Sequence, residues 1–344
     1  MESSDEARRR LIQQRQMALQ AARKLQLEQT GRVAQMGMAH DDIPITDAGD
    51  LSLFNGHAGT SHPDFAAFQS ACRNGSFAAV EAMVTSKPRS KAYLHQGLVQ
   101  ALAVGNVDAA GCLLANGAPI TRQTPPHVLS APEIYKIPLF ELLFQHGWTP
   151  NLPGFYGATL LPRLVTSPAL LTWFLDHGAD PNLGQQRDYR DRWGAPDADS
   201  CLALETAAAR GTVESVRQLL DAGAKIANGG PLYVAAGACP PDADPRAGPV
   251  TPSREFDEGR IPIMALLVER GADVNGKLET RHVTAQYPLV TAVMARAVER
   301  VKWLLSRGAD PRLRGYFGSA VEYAEKLGSE EMKSALGIST AEPQ

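Results

Sequence analysis

Apolar and polar positions along the chain fall into short helical runs that break off in the same way. One phrase recurs: two apolar residues, two variable ones, then Gly and usually Ala. It runs over Leu113–Ala118, Leu142–Gly147 with a one-residue slip, Phe174–Ala179, Leu219–Ala224, Leu266–Ala272 and Leu304–Ala309. The closing glycines, Gly117, Gly147, Gly178, Gly223, Gly271 and Gly308, are 30, 31, 45, 48 and 37 positions apart. That spacing reads as a period near 33 with insertions in the middle. At each phrase an apolar helical run meets a Gly, the residue that closes a helix in the left-handed conformation without a Cβ penalty. A turn follows, often Asp-Pro-Asn or Asp-Val-Asn.

Twelve positions before Gly223 stands Gly211, and the run from Leu202 to Leu220 predicts two short helices joined by a tight turn, with small alanines for close packing. Here the chain resembles the ankyrin repeat, with its TPLHxAAxxG first helix and VxxLLxxGAxxN second helix. Gln96–Pro119 and Tyr287–Pro311 fit the same frame, and Ser319–Gly328 resembles a terminal repeat. Phe65–Ser86 keeps Ala71, Gly75 and Val80, whereas the stretches from Pro126 and Gly157 lose the Ala pair and are read with Pro132 and Pro162 inside their first helices. The expected architecture is all-α: an ankyrin-repeat solenoid of about eight stacked helix-turn-helix units over residues 61–338, with an N-terminal helical extension. The two Pro-containing units are expected to be its softest part.

Residues 1–35 predict a basic amphipathic arm, with Leu11, Ala18, Ala22 and Leu25 at helical spacing and Arg8, Arg9, Arg10, Arg15, Arg23, Lys24 and Arg32 outnumbering the acids. Residues 36–60 read as a linker and 339–344 as a tail. Two insertions interrupt the array. The first, about 183–199, mixes Arg with Tyr and Trp; the second, about 240–260, is Pro-rich and acidic.

The resemblance implies binding through the turn fingers and the first helices of a concave face. On those fingers stand Trp148, Tyr156, Arg187, Tyr189, Arg190, Arg192, Trp193 and Tyr316, of residue types that dominate interface hot spots. Packing against the adjacent finger is the competing role for each aromatic. Two modification sites are expected: Asn275, which with Leu267, Asp273 and Val274 resembles the Asn hydroxylated in some ankyrin proteins, and Thr251, followed by Pro252 as proline-directed kinases require.

Composition narrows the functional classes. A net charge of -3 and 21% charged residues describe an ordinary surface and argue against bulk electrostatic binding of nucleic acid. The four cysteines, Cys72, Cys112, Cys201 and Cys239, are too far apart in sequence for a CxxC pair and read as free thiols. His146 and His177 precede capping glycines and read as structural; His57, His62 and Asp64 lie among Gly and Pro without a framework for metal. No GxSxG, Walker, GxGxxG or HExxH string occurs, so neither catalytic residue, metal nor cofactor is expected. The chain reads as a monomeric, non-enzymatic adaptor for a protein partner, cytoplasmic with the nucleus as a second compartment. The alternative is a regulator that the basic arm tethers to membrane or chromatin, the arm being the single route to a membrane.

Overall fold

The computed structural model describes residues 43, 48–54, 62–243, 250–279 and 285–338. The basic arm and the tail lie outside these residues. Among the described residues the regular structure is helical, and no helix is long and apolar enough to cross a membrane. The chain divides into two compact units, before and after the Trp148–Thr149 bond.

The first unit opens with α1 (Ala48–Phe54), inside the stretch expected as linker. Its cause is burial: Ile43 and Leu53 are covered, and the buried Asp50 carboxylate accepts a hydrogen bond from Ser90. Helix pairs follow: α2 (Phe65–Asn74) with α3 (Phe77–Thr85), then α4 (Lys91–Val104) with α5 (Val107–Ala115). The third pair is uneven, a 3-10 turn Pro125–Ser130 before α6 (Glu133–Gln145). Pro132 is therefore not inside a first helix; it is the N-cap of α6, where its missing N–H costs nothing. Phe68 and Tyr93 stack at 4.4 Å in the core. The site of Gly97 is held against them: a Cβ there would meet Phe68 at 2.5 Å.

The second unit begins with a similarly reduced pair, the 3-10 turn Leu161–Arg163, which contains Pro162, and α7 (Pro168–Asp176). Full pairs follow: α8 (Leu202–Arg210) with α9 (Val213–Asp221), and α10 (Pro231–Ala236) with α11 (Arg254–Glu269). The last two are α12 (Pro288–Met294) with α13 (Val298–Ser306), and α14 (Ala320–Leu327) with α15 (Glu330–Ala335). First helices pack in sequence, α8 on α10, α10 on α12 and α12 on α14, and second helices do likewise from α9 to α15. This nearest-neighbour order is that of a helical repeat solenoid.

The recurring phrase has one geometry. Its six glycines have φ between +82° and +100°. The N–H of the following residue reaches back five positions, as from Ala118 to Leu113, Trp148 to Leu143, Ala179 to Phe174 and Ala309 to Leu304, at 3.0–3.1 Å. This is the Schellman closure, and the residues on both sides of it are apolar and buried. Trp148 occupies the slot that Ala fills in the other phrases and is 3% exposed, with its ring 5.4 Å from that of Phe140. It is a core residue and not the finger contact expected for it.

Several neighbouring pairs are joined by side chains of a second helix or its N-cap that reach back to carbonyls of the preceding pair. Asn106 donates to Cys72 and Gly75 at 3.1 and 2.9 Å, and Ser215 to Val165 at 2.7 Å. Arg260 donates to Gly211 at 3.0 Å and also to Ala208. Arg300, fully buried, donates to Ala235, Ala236 and Ala238 at 3.1, 2.7 and 2.9 Å, and to the Asp257 carboxylate at 2.7 Å. Asp257 in turn accepts from the Glu299 N–H at 2.7 Å.

That network corrects the second insertion. Residues 254–260, expected in an excursion, are the first turns of α11, because Ser253 caps the helix and Asp257 must face Arg300. Burial holds the Arg260 guanidinium at about 10, below its ordinary value, with the charge of Arg300 adding to the effect.

Replacing Arg300 with Met should strip Asp257 of its counter-charge and leave the Ala236 and Ala238 carbonyls open. The expected loss is about 3–5 kcal/mol, the range for breaking a buried pair from one side. Urea denaturation followed by circular dichroism checks it; a midpoint unchanged from the parent would contradict it.

Candidate protein-binding finger

The turn between α7 and α8 carries the first insertion. It is an ordered finger closed at its base by an antiparallel bridge, with the Gly184 N–H on Asp197 O at 3.0 Å and the return bond at 2.9 Å. The side chain of Gln186, 2% exposed, spans the interior: Nε2 donates to Ala195 O at 2.9 Å and Oε1 accepts from the Asp191 N–H at 3.0 Å. Trp193 N–H is turned onto Asp191 at 2.9 Å.

A second, shorter finger supports the first. The 3-10 turn Phe155–Gly157 exchanges backbone bonds with it, Tyr156 N–H to Arg192 O and Gln186 N–H to Tyr156 O, both at 2.8 Å. Tyr156 and Tyr189 have φ of 55° and 50°, the left-handed region that costs a non-Gly residue. Their rings meet edge-on at 5.3 Å, while Phe155 meets Trp193 at 4.9 Å. The Arg192 guanidinium lies 4.1 Å over the Phe155 ring. At Gly157 φ is +74°, and a Cβ would approach Pro196 Cα to 2.5 Å.

The eight expected contact residues therefore divide. Arg190 is a staple of the finger, bonded to Asp188 at 3.0 Å and Asp197 at 2.7 Å. The Arg187 backbone N–H, followed by the Arg190 side chain, holds the Asp197 carboxyl below the usual range. Arg187 bonds Asp199 O within the finger at 2.8 Å and ties it to the next turn through Asn228 O at 3.2 Å. Tyr156 is half-buried, and Arg192 covers an aromatic face. Tyr189 and Trp193 remain 59% and 42% exposed despite their ring partners. Tyr316, 62% exposed, sits on the α13–α14 turn, at the tip of a small loop closed by Gly315 and Gly318. Trp148, as described above, is buried in the other unit.

Beside the finger runs a cleft of about 490 Å³, lined by Tyr189, Leu202, Glu205, Leu278 and Glu279 among others. Leu202 is 39% exposed on its floor, so the cleft offers apolar surface next to two carboxylates and the Tyr189 ring. Leu202 and Leu278 escaped sequence reasoning because their positions read as ordinary helix and turn residues.

Several other sequence candidates have structural partners. Asn275 uses its carboxamide internally, donating to Gly308 O at 3.0 Å and accepting from Asp310 N–H at 2.8 Å. Thr251 is exposed two residues before the N-cap of α11. His177 stacks on Trp173 at 3.8 Å. Asp64 is bonded to Arg89 at 2.6 Å, which holds its carboxyl at about 2, below the ordinary 3.8. His57 lies outside the described residues. The cysteines are free, and burial pushes the thiols of Cys72 and Cys201 up to about 12.

Replacing Gly157 with Ala should part the two fingers. Faster amide exchange at Gln186 and Tyr156, with helix amides of α8 to α15 unaffected, is the expected result; unchanged exchange at Gln186 would contradict it.

No family model and no curated protein matches the chain. Among solved structures it is similar to the ankyrin repeat domain of human ASB11, 20% identical over 80% of this chain and 99% of that one, at a TM-score of 0.41. It is also similar to the ankyrin repeat domain of Bcl-3, described as a unique member of the IkappaB protein family. That match is 23% identical over 71% of this chain and 85% of that one, at a TM-score of 0.38.

Proposed function

We propose that the protein is a non-enzymatic adaptor that binds a protein partner along the finger of residues 183–199 and the cleft beside it. The observation that carries this reading is the rigid presentation of large aromatic surface. Tyr189 and Trp193 stay exposed while backbone bonds, Gln186 and two arginine staples fix the loop beneath them. An ordered loop loses little entropy on docking, so its contact area contributes directly to affinity. Arg192 on Phe155 adds a cationic handle at the rim.

The reading assigns the arginines different work from the aromatics. Arg187 and Arg190 keep the finger closed, and Tyr189 and Trp193 touch the partner. Tyr316 belongs to a separate turn and extends the contact only for a large partner. A phosphate on Thr251 would recruit through an exposed segment. Hydroxylation of Asn275 would first require its two bonds to open, and the reading places it in transiently opened chains. The cytoplasm and nucleus, where thiols stay reduced, are the compartments in which four unpaired cysteines are at home.

The test is photo-crosslinking from position 189 in cell extract, followed by mass spectrometry of the adduct and affinity measurement with the protein so identified. Tyr189→Ala with Trp193→Ala should weaken that affinity by at least ~30-fold, about 2 kcal/mol for a hot-spot cluster. The melting temperature should stay within a degree or two of the parent. Unchanged affinity, or a collapse of the fold, would contradict the assignment.

A further inference from the structure

Successive turns of the second unit are laced by asparagines four positions after Gly147, Gly178 and Gly271. Asn151 donates to Gly178 O at 2.7 Å and accepts from Asp180 N–H at 2.8 Å. Asn182 does the same to Gly223 O at 3.0 Å and Lys225 N–H at 2.9 Å, and Asn275 to Gly308 and Asp310. Each clamp is a primary carboxamide laid against one carbonyl and one N–H of the following turn.

The rung between Asn182 and Asn275 lacks its clamp. Four positions after Gly223 stands Ala227, with a methyl group where the others have a carboxamide. The neighbouring Asn228 does not substitute, because its amide turns back to Asn182 Oδ1 at 3.4 Å and its carbonyl accepts from Arg187. Among the described residues, no side chain meets Gly271 O or Asp273 N–H, the pair that corresponds to those clamped elsewhere. Between Ala227 and these two groups lies a cavity of about 610 Å³. Leu278 and Tyr233 wall it, and the exposed Lys225 at its rim makes no ion pair among the described residues.

We infer that this notch binds the carboxamide of an asparagine presented by a partner protein on an acidic turn. The occupant's chemistry is copied from the intact rungs. In each a carboxamide pairs with the same two backbone groups, and the donor turns around Asn182 and Asn275 hold the Asn N–H on an Asp two residues earlier, at 2.8 and 2.9 Å. Such a turn brings a carboxylate near Lys225. Leu278 and Tyr233 supply apolar walls beside the amide. The inference rests on the chain being a protein-binding module, but it does not use the finger, so either can fail alone.

The probe is the acetylated peptide Gly-Ala-Asp-Pro-Asn-Leu-Gly with a free C-terminus, which reproduces residues 178–184. It is titrated into the full chain labelled with nitrogen-15. The Asp273 amide resonance should shift saturably, and versions of the peptide with Asp or Leu in place of Asn should bind at least ~5-fold more weakly, the equivalent of one hydrogen bond. Ala227→Asn, which places the carboxamide in the notch from within, should abolish the shift and slow exchange of the Asp273 amide. Equal binding of the Asn and Leu peptides would overturn the inference, as would undiminished binding to the folded Ala227→Asn chain. The peptide comparison on the parent chain decides the matter even where that variant does not fold.

Discussion

Helix ends control this structure. Every helix leaves open carbonyls at its C-terminus, and a chain made of short helices has many of them close to its core. Two devices answer the demand. Schellman closures at the capping glycines satisfy the second helices locally, and side chains from the next pair satisfy the first helices at a distance. Asn106, Ser215, Arg260 and Arg300 do the latter, each from a second helix or its N-cap. The consequence is cooperativity between neighbours: a pair cannot shift against the preceding one without breaking hydrogen bonds to its helix ends.

Arginine in two of these positions shows how far the constraint reaches. A guanidinium is costly to bury, and Arg300 is fully buried. It is held by Asp257 on one side and three carbonyls on the other, which answer its charge and the hydrogens of Nε and Nη1, while the buried Nη2 has no hydrogen-bond partner among the described residues. The requirement also explains why α11 is longer than its counterparts in the other pairs of this unit, since it must begin early enough to carry Asp257. The same economy of fixed ends lets the turn between α7 and α8 grow into a finger. Its base is pinned by Gly184 and Asp197, and a longer loop between pinned ends adds little entropic cost.

Much of the fold was legible because it is written in a period. Gly and Ala at the end of each second helix specify both a dihedral angle and a buried slot, so spacing alone located them. The same logic, carried one step further, would have placed Trp148 in the core, since it stands in the Ala slot after Gly147. Side chains that act between pairs were not legible. Arg260 and Arg300 look like any surface arginine in sequence, because their partners lie about fifty to sixty-five positions away. The finger was visible as a composition of Arg, Tyr and Trp, but composition could not separate Arg187 and Arg190, which hold the loop, from Tyr189 and Trp193, which face outward. The α1 helix was hidden for a similar reason: what stabilises it is burial against α4, not its own short pattern.

The claim at the centre of this account is that side chains of one repeat satisfy the backbone of the next, turn by turn. Native-state hydrogen exchange of four equivalent amides tests it most directly. Those of Asp180, Lys225 and Asp310 are clamped by asparagine, and that of Asp273 faces Ala227. Exchange at Asp273 should be faster than at the other three by about one to two orders of magnitude, the span between an open turn and one closed by a specific bond. Equal protection at all four would contradict the account.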